Sequence, residues 1–266
     1  MIGINRRYGR DLYMQHLTLS HDQREKARFI SSNPFADFST LESYEIVDLG
    51  IYWAYYSAKI ESNTYTYVET ECLLKDGITS LKTYTEATML KNLYNTFIDC
   101  VERIKKGGEL RLNPCTVMEL HAMLTNDLLP LSQRGTLRSH EVRITGSDYI
   151  PPSDPRLIKQ KLTDILIEQE KYDDPFARSI FLHCNIARLQ PFSDGNKRTS
   201  RLVESIVLMS AHIIPVRSNR QADILRYRSA IAHFYETEDY NPYIDFALDM
   251  QIQRINEVAS PKFRWR

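Results

Sequence analysis

Gln190-Pro191-Phe192-Ser193-Asp194-Gly195-Asn196-Lys197-Arg198-Thr199-Ser200-Arg201 is the stretch that decides the fold. Before it, Phe176, Ile180, Phe181 and Cys184 recur at helical spacing, and after it Leu202, Val203, Ile206 and Val207 do the same. The spacing predicts a helix over 176–189, a tight loop, and a second helix over 198–212. A glycine-containing loop that opens a helix brings backbone N–H groups and the positive end of the helix dipole to one point. Gly195, Asn196 and Lys197 supply consecutive N–H groups that would form an anion nest. Arg198 and Arg201 add guanidinium forks suited to phosphate oxygens. Asp194 is a carboxylate placed to hold Mg²⁺ on a polyphosphate. The residues alone read as a nucleoside-triphosphate site.

Outward from the loop the pattern stays helical. Tyr44, Val47, Ile51, Ala54 and Ala58 form one apolar stripe, expected behind a capping box at Ser39 and Glu42. Ala87, Leu90, Tyr94, Phe97, Val101 and Ile104 form another, stopped by Gly107-Gly108. A second capping box is expected at Thr116 and Glu119, ahead of Leu120 and Leu124. Asp154-Pro155 opens a helix through Ile158, Leu162 and Ile165. Two more helices fit 221–236 and 242–257. One segment reads as extended: residues 141–150 alternate, turn at Gly146-Ser147-Asp148 and end at Pro151-Pro152. That predicts a small β-hairpin whose free edge, at Val142, Arg143 and Ile144, could pair with an extended peptide.

Composition sets the outer limits. The chain has 266 residues, enough to bury a core. Lys+Arg and Asp+Glu are both 34, so no overall field attracts nucleic acid. No apolar run approaches the roughly 20 residues needed to span a bilayer, and the N-terminus lacks the apolar core of a signal peptide. Cys72, Cys100, Cys115 and Cys184 are widely spaced, which reads as reduced thiols in a cytoplasmic protein. The expected organisation is an N-terminal arm over 1–38, a principal domain over 39–258 and a basic tail over 259–266.

The string at 190–201 resembles the signature of the Fic (Fido) family, His-Pro-Phe-x-Asp/Glu-Gly-Asn-Gly-Arg-x-x-Arg. Gln190 stands where the family has its catalytic His, and Lys197 where most members have the second Gly. The resemblance implies a mainly α-helical bundle with a small β-hairpin flap. It also implies an ATP- and Mg²⁺-dependent transfer of AMP to a hydroxyl of a target protein docked on that flap by strand addition. On this resemblance Asn196 positions the α-phosphate, Asp194 ligates Mg²⁺, Arg198 and Arg201 hold the β- and γ-phosphates, and Tyr227 lies near adenine and ribose.

Two further likenesses bear on activity. Ser57-Ala58-Lys59-Ile60-Glu61-Ser62-Asn63 resembles the family's inhibitory motif, with Ser62 at a position usually Gly or Asn. Ser57 and Glu61 share a helix face, and a carboxylate there could form a bidentate pair with Arg201. His183 is expected to be a structural hydrogen-bonder. The glutamine amide at 190 cannot act as a base at neutral pH, and losing a general base typically removes roughly 10²–10⁴ of rate. Two alternatives stay open: a nucleotide-binding pseudoenzyme whose flap is a partner-binding module, and, from Lys197, a kinase resembling the toxin Doc.

Overall fold

The computed structural model describes residues 15–79, 81–107, 110–218 and 220–260. Among them the chain forms helices α1 (His21–Ser31), α2 (Ser43–Ile60), α3 (Tyr67–Asp76), α4 (Tyr84–Lys105) and α5 (Pro114–Leu124), followed by α6 (Pro155–Glu168), α7 (Pro175–Leu189), α8 (Asn196–Ser210), α9 (Gln221–Thr237) and α10 (Asn241–Ala259). The mainly helical class expected from the sequence is the class observed.

At the centre lie α7 and α8, joined by residues 190–195 and packed on each other more extensively than any other pair. Both bury almost their whole circumference. Ile180, Phe181, Cys184 and Ile186 of α7 and Leu202, Val203, Ile206 and Met209 of α8 are all at most 1% exposed. Helices buried on nearly every side, α8 with Arg198, Arg201 and Glu204 among its buried residues, must be surrounded by other elements. Here α4 and α5 cover α8, α6 and α9 cover α7, and α10 packs on α9. Helix α2 lies along α4, where Gly50 lets them approach: a Cβ there would sit 2.9 Å from the Ile98 Cδ1 atom. This pairing holds the C-terminal end of α2 over the start of α8.

The stretch expected to be an irregular arm contains α1. Ser20 caps it, accepting from the Gln23 N–H while the Gln23 side chain accepts from the Ser20 N–H. Leu17, Leu19, Ala27 and Ile30 join the core, with α1 on α10. The arm's first fourteen residues and the tail from 261 onward lie outside the described residues.

Of the two expected capping boxes, one lies later in the chain and the other is replaced by a single-residue cap. Ser39 belongs to a 3₁₀ turn capped by Asp37, and α2 begins later, where the Glu45 carboxylate accepts from the Glu42 N–H at 2.9 Å. Pro114 takes the first position of α5, which suits its fixed φ. The cap is therefore Asn113, whose Oδ1 accepts from Cys115 and Thr116.

The expected hairpin over 141–150 is a loop. Its turn exists, with Gly146 at φ 81° and the Ser147 N–H donating to the Ile144 carbonyl. No strand ladder forms among the described residues, where the sole bridge is an isolated one between Asp37 and Ile213. Side chains take the place of a partner strand. Glu236 Oε1 accepts from the N–H groups of Asp148 and Tyr149 and from the Ser147 hydroxyl. Within the loop Ile144 is buried, Val142 half-buried and Arg143 exposed.

Candidate active site

Helix α7 ends at Gln190, which adopts the left-handed conformation (φ 49°, ψ 59°). The Gln190 carboxamide is engaged at both ends. Nε2 donates to the Ala187 carbonyl at 2.6 Å, and Oε1 accepts from Asn196 Nδ2 at 3.0 Å. Asn196 in turn closes the loop on Phe192, accepting from its N–H and donating to its carbonyl, each at 2.8 Å. The side chain of Asn196 is thus committed to the loop, and its backbone N–H begins α8.

Beneath the loop sits His121 of α5, a residue the sequence reading did not single out. Its ring stacks on Phe192 at 3.7 Å between centroids. The Gly135 N–H donates to Nδ1 at 2.9 Å, so the ring proton is on Nε2, which donates to the Asp194 carbonyl at 2.9 Å. Burial drives its pKa down to about 4, which keeps the ring neutral. Gly195 has φ 77°, and a Cβ there would come within 2.9 Å of Thr125 Cγ2. The loop thus needs glycine for both backbone and space.

Asp194 turns outward. Oδ1 accepts from the Gly195 N–H at 2.6 Å and Oδ2 from Arg198 Nη2 at 3.1 Å, while the side chain is 65% exposed. Arg198 is 3% exposed and Arg201 fully buried. Nε and Nη1 of both arginines are buried without a hydrogen-bond partner among the described residues. Buried guanidinium donors are rarely left bare, and two together mark a place for anionic oxygens.

Arg201 Nη2 donates to Glu61 Oε1 at 2.8 Å and to the Ser57 carbonyl at 3.1 Å. The pairing expected from the sequence is present, in one-armed rather than bidentate form. Glu61 is the C-cap of α2, so its carboxylate hangs from the helix end and reaches with one oxygen. The Ser57 carbonyl, not its hydroxyl, shares the guanidinium; the hydroxyl is buried without a partner. Burial opposes ionisation of Glu61, but Arg201 and Arg198 outweigh it and hold its pKa below the usual range. The half-buried Lys197 amine is pushed down by burial and drawn back toward the charged form by Glu61.

Behind Arg201 lies a buried polar cluster that hydrophobic periodicity could not reveal. His183 Nδ1 lies 2.9 Å from Glu204 Oε2, which also accepts from Arg217 Nη2 at 2.9 Å and the Tyr243 hydroxyl at 3.1 Å. Burial raises the Glu204 pKa, yet Arg217 and His183 hold it down at about 2. The Tyr227 hydroxyl faces His183 Nε2 at 3.3 Å. Tyr227, expected beside a nucleotide, is 4% exposed and set in this cluster; His183 is the structural hydrogen-bonder expected.

The loop, Asp194, both arginines and the Glu61–Arg201 pair therefore converge at the start of α8, while residues 142–144 lie apart in the 139–152 loop. The donor set fits Mg²⁺ arriving on a polyphosphate, because a single exposed carboxylate is what such an ion takes from protein. Among the described residues no group of three His, Cys, Asp or Glu could cage a metal unaided. No described helix is long and apolar enough to cross a membrane.

Residues 111–208 match the Fic/DOC family. The chain is 22% identical over 234 residues to "Protein adenylyltransferase fic-1" of Caenorhabditis elegans, covering 85% of this chain and 43% of that protein. It is 26% identical over 215 residues to "Protein adenylyltransferase Fic" of Drosophila mojavensis, covering 73% and 38%. The chain thus spans less than half the length of these relatives. Its fold is similar to the crystal structure of a Fic family protein from Desulfovibrio desulfuricans G20, with TM-score 0.78 and 20% identity over 96% of this chain and 79% of that one.

Proposed function

We propose that this chain, whose residues 111–208 belong to the Fic/DOC family, is a Fic-type protein adenylyltransferase scaffold that binds Mg·ATP and is held off by Glu61. One observation carries the reading: Arg198 and Arg201 meet at the first turns of α8 with buried, unpartnered N–H groups, and the one hydrogen-bonded fork atom of Arg201 is occupied by the carboxylate of Glu61. Anionic oxygens are the ligand such donors lack. The names of the relatives supply the reaction class.

In the proposed reaction a target hydroxyl oxygen bonds to the α-phosphorus of ATP. The bond from that phosphorus to the bridging oxygen breaks, and pyrophosphate leaves. The first N–H groups of α8 and the two guanidinium forks stabilise charge on the phosphates. Asp194 would hold Mg²⁺, which supplies charge neutralisation on the polyphosphate. The hydroxyl proton needs an acceptor, and the carboxamide of Gln190, hydrogen-bonded at both ends, offers none. Transfer by this sequence is therefore slow.

That same locked carboxamide favours the second reading, a nucleotide-binding pseudoenzyme with the 139–152 loop as its partner surface. A Doc-like phosphoryl transfer through Lys197 is the third. The target would dock along residues 142–144, which have no strand neighbour among the described residues. The free cysteines support a cytoplasmic setting.

Titration calorimetry with Mg·ATP on Glu61→Gly protein tests the site, followed by transfer assays with α- and γ-labelled ATP on Glu61→Gly, Gln190→His protein. Binding that Arg198→Ala weakens at least tenfold, with label only from α-labelled ATP, supports adenylyl transfer. Binding with no label favours the pseudoenzyme. Label only from γ-labelled ATP favours the kinase, and absence of binding removes the phosphate assignment.

A further inference from the structure

Arg138 is a buried arginine, 2% exposed, whose hydrogen bonds go to main-chain carbonyls. Nε donates to Gln190 at 2.6 Å, Nη1 to His140 at 2.6 Å, and Nη2 to Pro152 at 2.5 Å and Leu189 at 3.4 Å. Its own N–H donates to the Pro191 carbonyl at 3.0 Å. Leu189 and Gln190 terminate α7, where carbonyls have no helical partner and the dipole is negative. A cation there satisfies orphan acceptors and stabilises the helix end together. His140 and Pro152 are the two feet of the 141–151 loop.

A single guanidinium therefore ties Leu189 and Gln190, at the start of the 190–195 loop, to both ends of the neighbouring surface loop, and the Arg138 main chain adds Pro191. Residue 190 is held in a left-handed backbone that a non-glycine residue enters at a cost of roughly 1 kcal/mol. The Arg138 bond to its carbonyl acts directly on that backbone, beside the bonds of the Gln190 N–H and carboxamide. Sequence distance hides the relationship, since Arg138 and Gln190 are 52 positions apart.

We infer that Arg138 is a positioning residue, acting through the backbone of residue 190 and through the feet of the 141–151 loop, so that the phosphate loop and the adjoining surface keep a fixed relation. It rests on the adenylyl-transfer reading only where it concerns rate. Its structural half stands on the hydrogen bonds alone. A planar fork with several donors can serve four acceptors at once, and a lysine ammonium, with three donors on one atom, cannot span them.

Two measurements on Arg138→Lys test the inference. Amide exchange on the Glu61→Gly protein should accelerate at least tenfold both at 190–196 and at 141–150, with α4 and α10 unchanged. In the Glu61→Gly, Gln190→His background, kcat for transfer to protein should fall at least tenfold while the Kd for Mg·ATP moves less than threefold. Arg138→Met should be worse than Arg138→Lys on both. Loosening of one segment alone, or acceleration throughout the protein, overturns the coupling. Equal losses in kcat and in nucleotide binding overturn the positioning role. If the base-restored protein transfers nothing, the adenylyl-transfer reading fails and the exchange result alone decides Arg138.

Discussion

Gln190 and Asn196 are joined side chain to side chain across the loop between α7 and α8, Oε1 accepting from Nδ2 at 3.0 Å. The bond makes the residue at 190 part of the loop's own hydrogen-bond frame rather than a free group facing substrate. An imidazole in its place would retain one nitrogen for the loop and present the other, with a pKa near neutrality, to a hydroxyl.

Gln190→His should therefore raise AMP transfer by about 10²–10⁴-fold in Glu61→Gly protein. The check is initial-rate labelling of a protein acceptor, or of the chain itself, from α-labelled ATP. Equal rates with Gln and His would show that no base is needed at this position.

Removing the Glu61 carboxylate frees Arg201. A hydrogen bond to a charged group is worth about 1.5–3 kcal/mol, so Glu61→Gly should tighten competent Mg·ATP binding by roughly one to two decades. Arg201→Ala should abolish transfer in the base-restored protein whether or not Glu61 is present. Because the Glu61 pKa is depressed, its pairing is fully formed above the ordinary carboxylate range and is lost only as pH falls through the lower folded value. The ratio of Glu61→Gly to parent activity should stay flat between about pH 6 and 8. A ratio that changes severalfold across that interval would point to another group as the release.

Ser62 follows Glu61 with φ 67°, a conformation that glycine enters without strain. Its N–H donates to the Lys59 carbonyl and that of Asn63 to Ala58, closing the end of α2. Ser62→Gly should relieve up to about 1 kcal/mol of strain, raise Tm by a few degrees and slow the base-restored enzyme severalfold by firming the Glu61 position. Thermal unfolding and transfer assays on the same protein read both; a lowered Tm would mean that Ser62 carries no strain.

His121 makes the loop acid-sensitive. Its folded pKa of about 4 lies below the 6.5 of a free imidazole, so the unfolded chain binds the extra proton between those values and stability falls as pH drops through that window. The full effect amounts to about 3 kcal/mol. His183, also depressed by burial, acts in the same sense. His121→Gln, which keeps a donor and an acceptor, should be less stable at pH 7 yet lose distinctly less stability from about pH 6.5 to 4. Urea titrations at the two ends give the difference, and an unchanged pH slope would dissociate His121 from it.

The loop between α7 and α8, with the charged groups around it, was legible in sequence because its pattern is local. Gly195 and the Asp194, Arg198 and Arg201 side chains fall within two helical turns, and spacing alone puts them at one helix end. The helix pair around the loop was legible for the same reason, as apolar residues recur on both sides. Glu61 and Arg201 could be matched across 140 positions only through resemblance to a family motif.

What tertiary structure decided was everything made by groups distant in sequence and chemically unremarkable one by one. The alternation of residues 141–150 favours a strand, but strands need a partner, and Glu236 and Arg138 supply side-chain donors and acceptors instead. One capping box moved and the other gave way to an Asn113 cap because neighbouring residues, the 3₁₀ turn at Phe38 and Pro114, fixed the helix starts. His121 under the loop and Glu204 beneath Arg201 are buried polar residues, and hydrophobic periodicity assigns such positions no partner. Their roles follow from burial, which obliges each polar atom to find a partner wherever the fold places one.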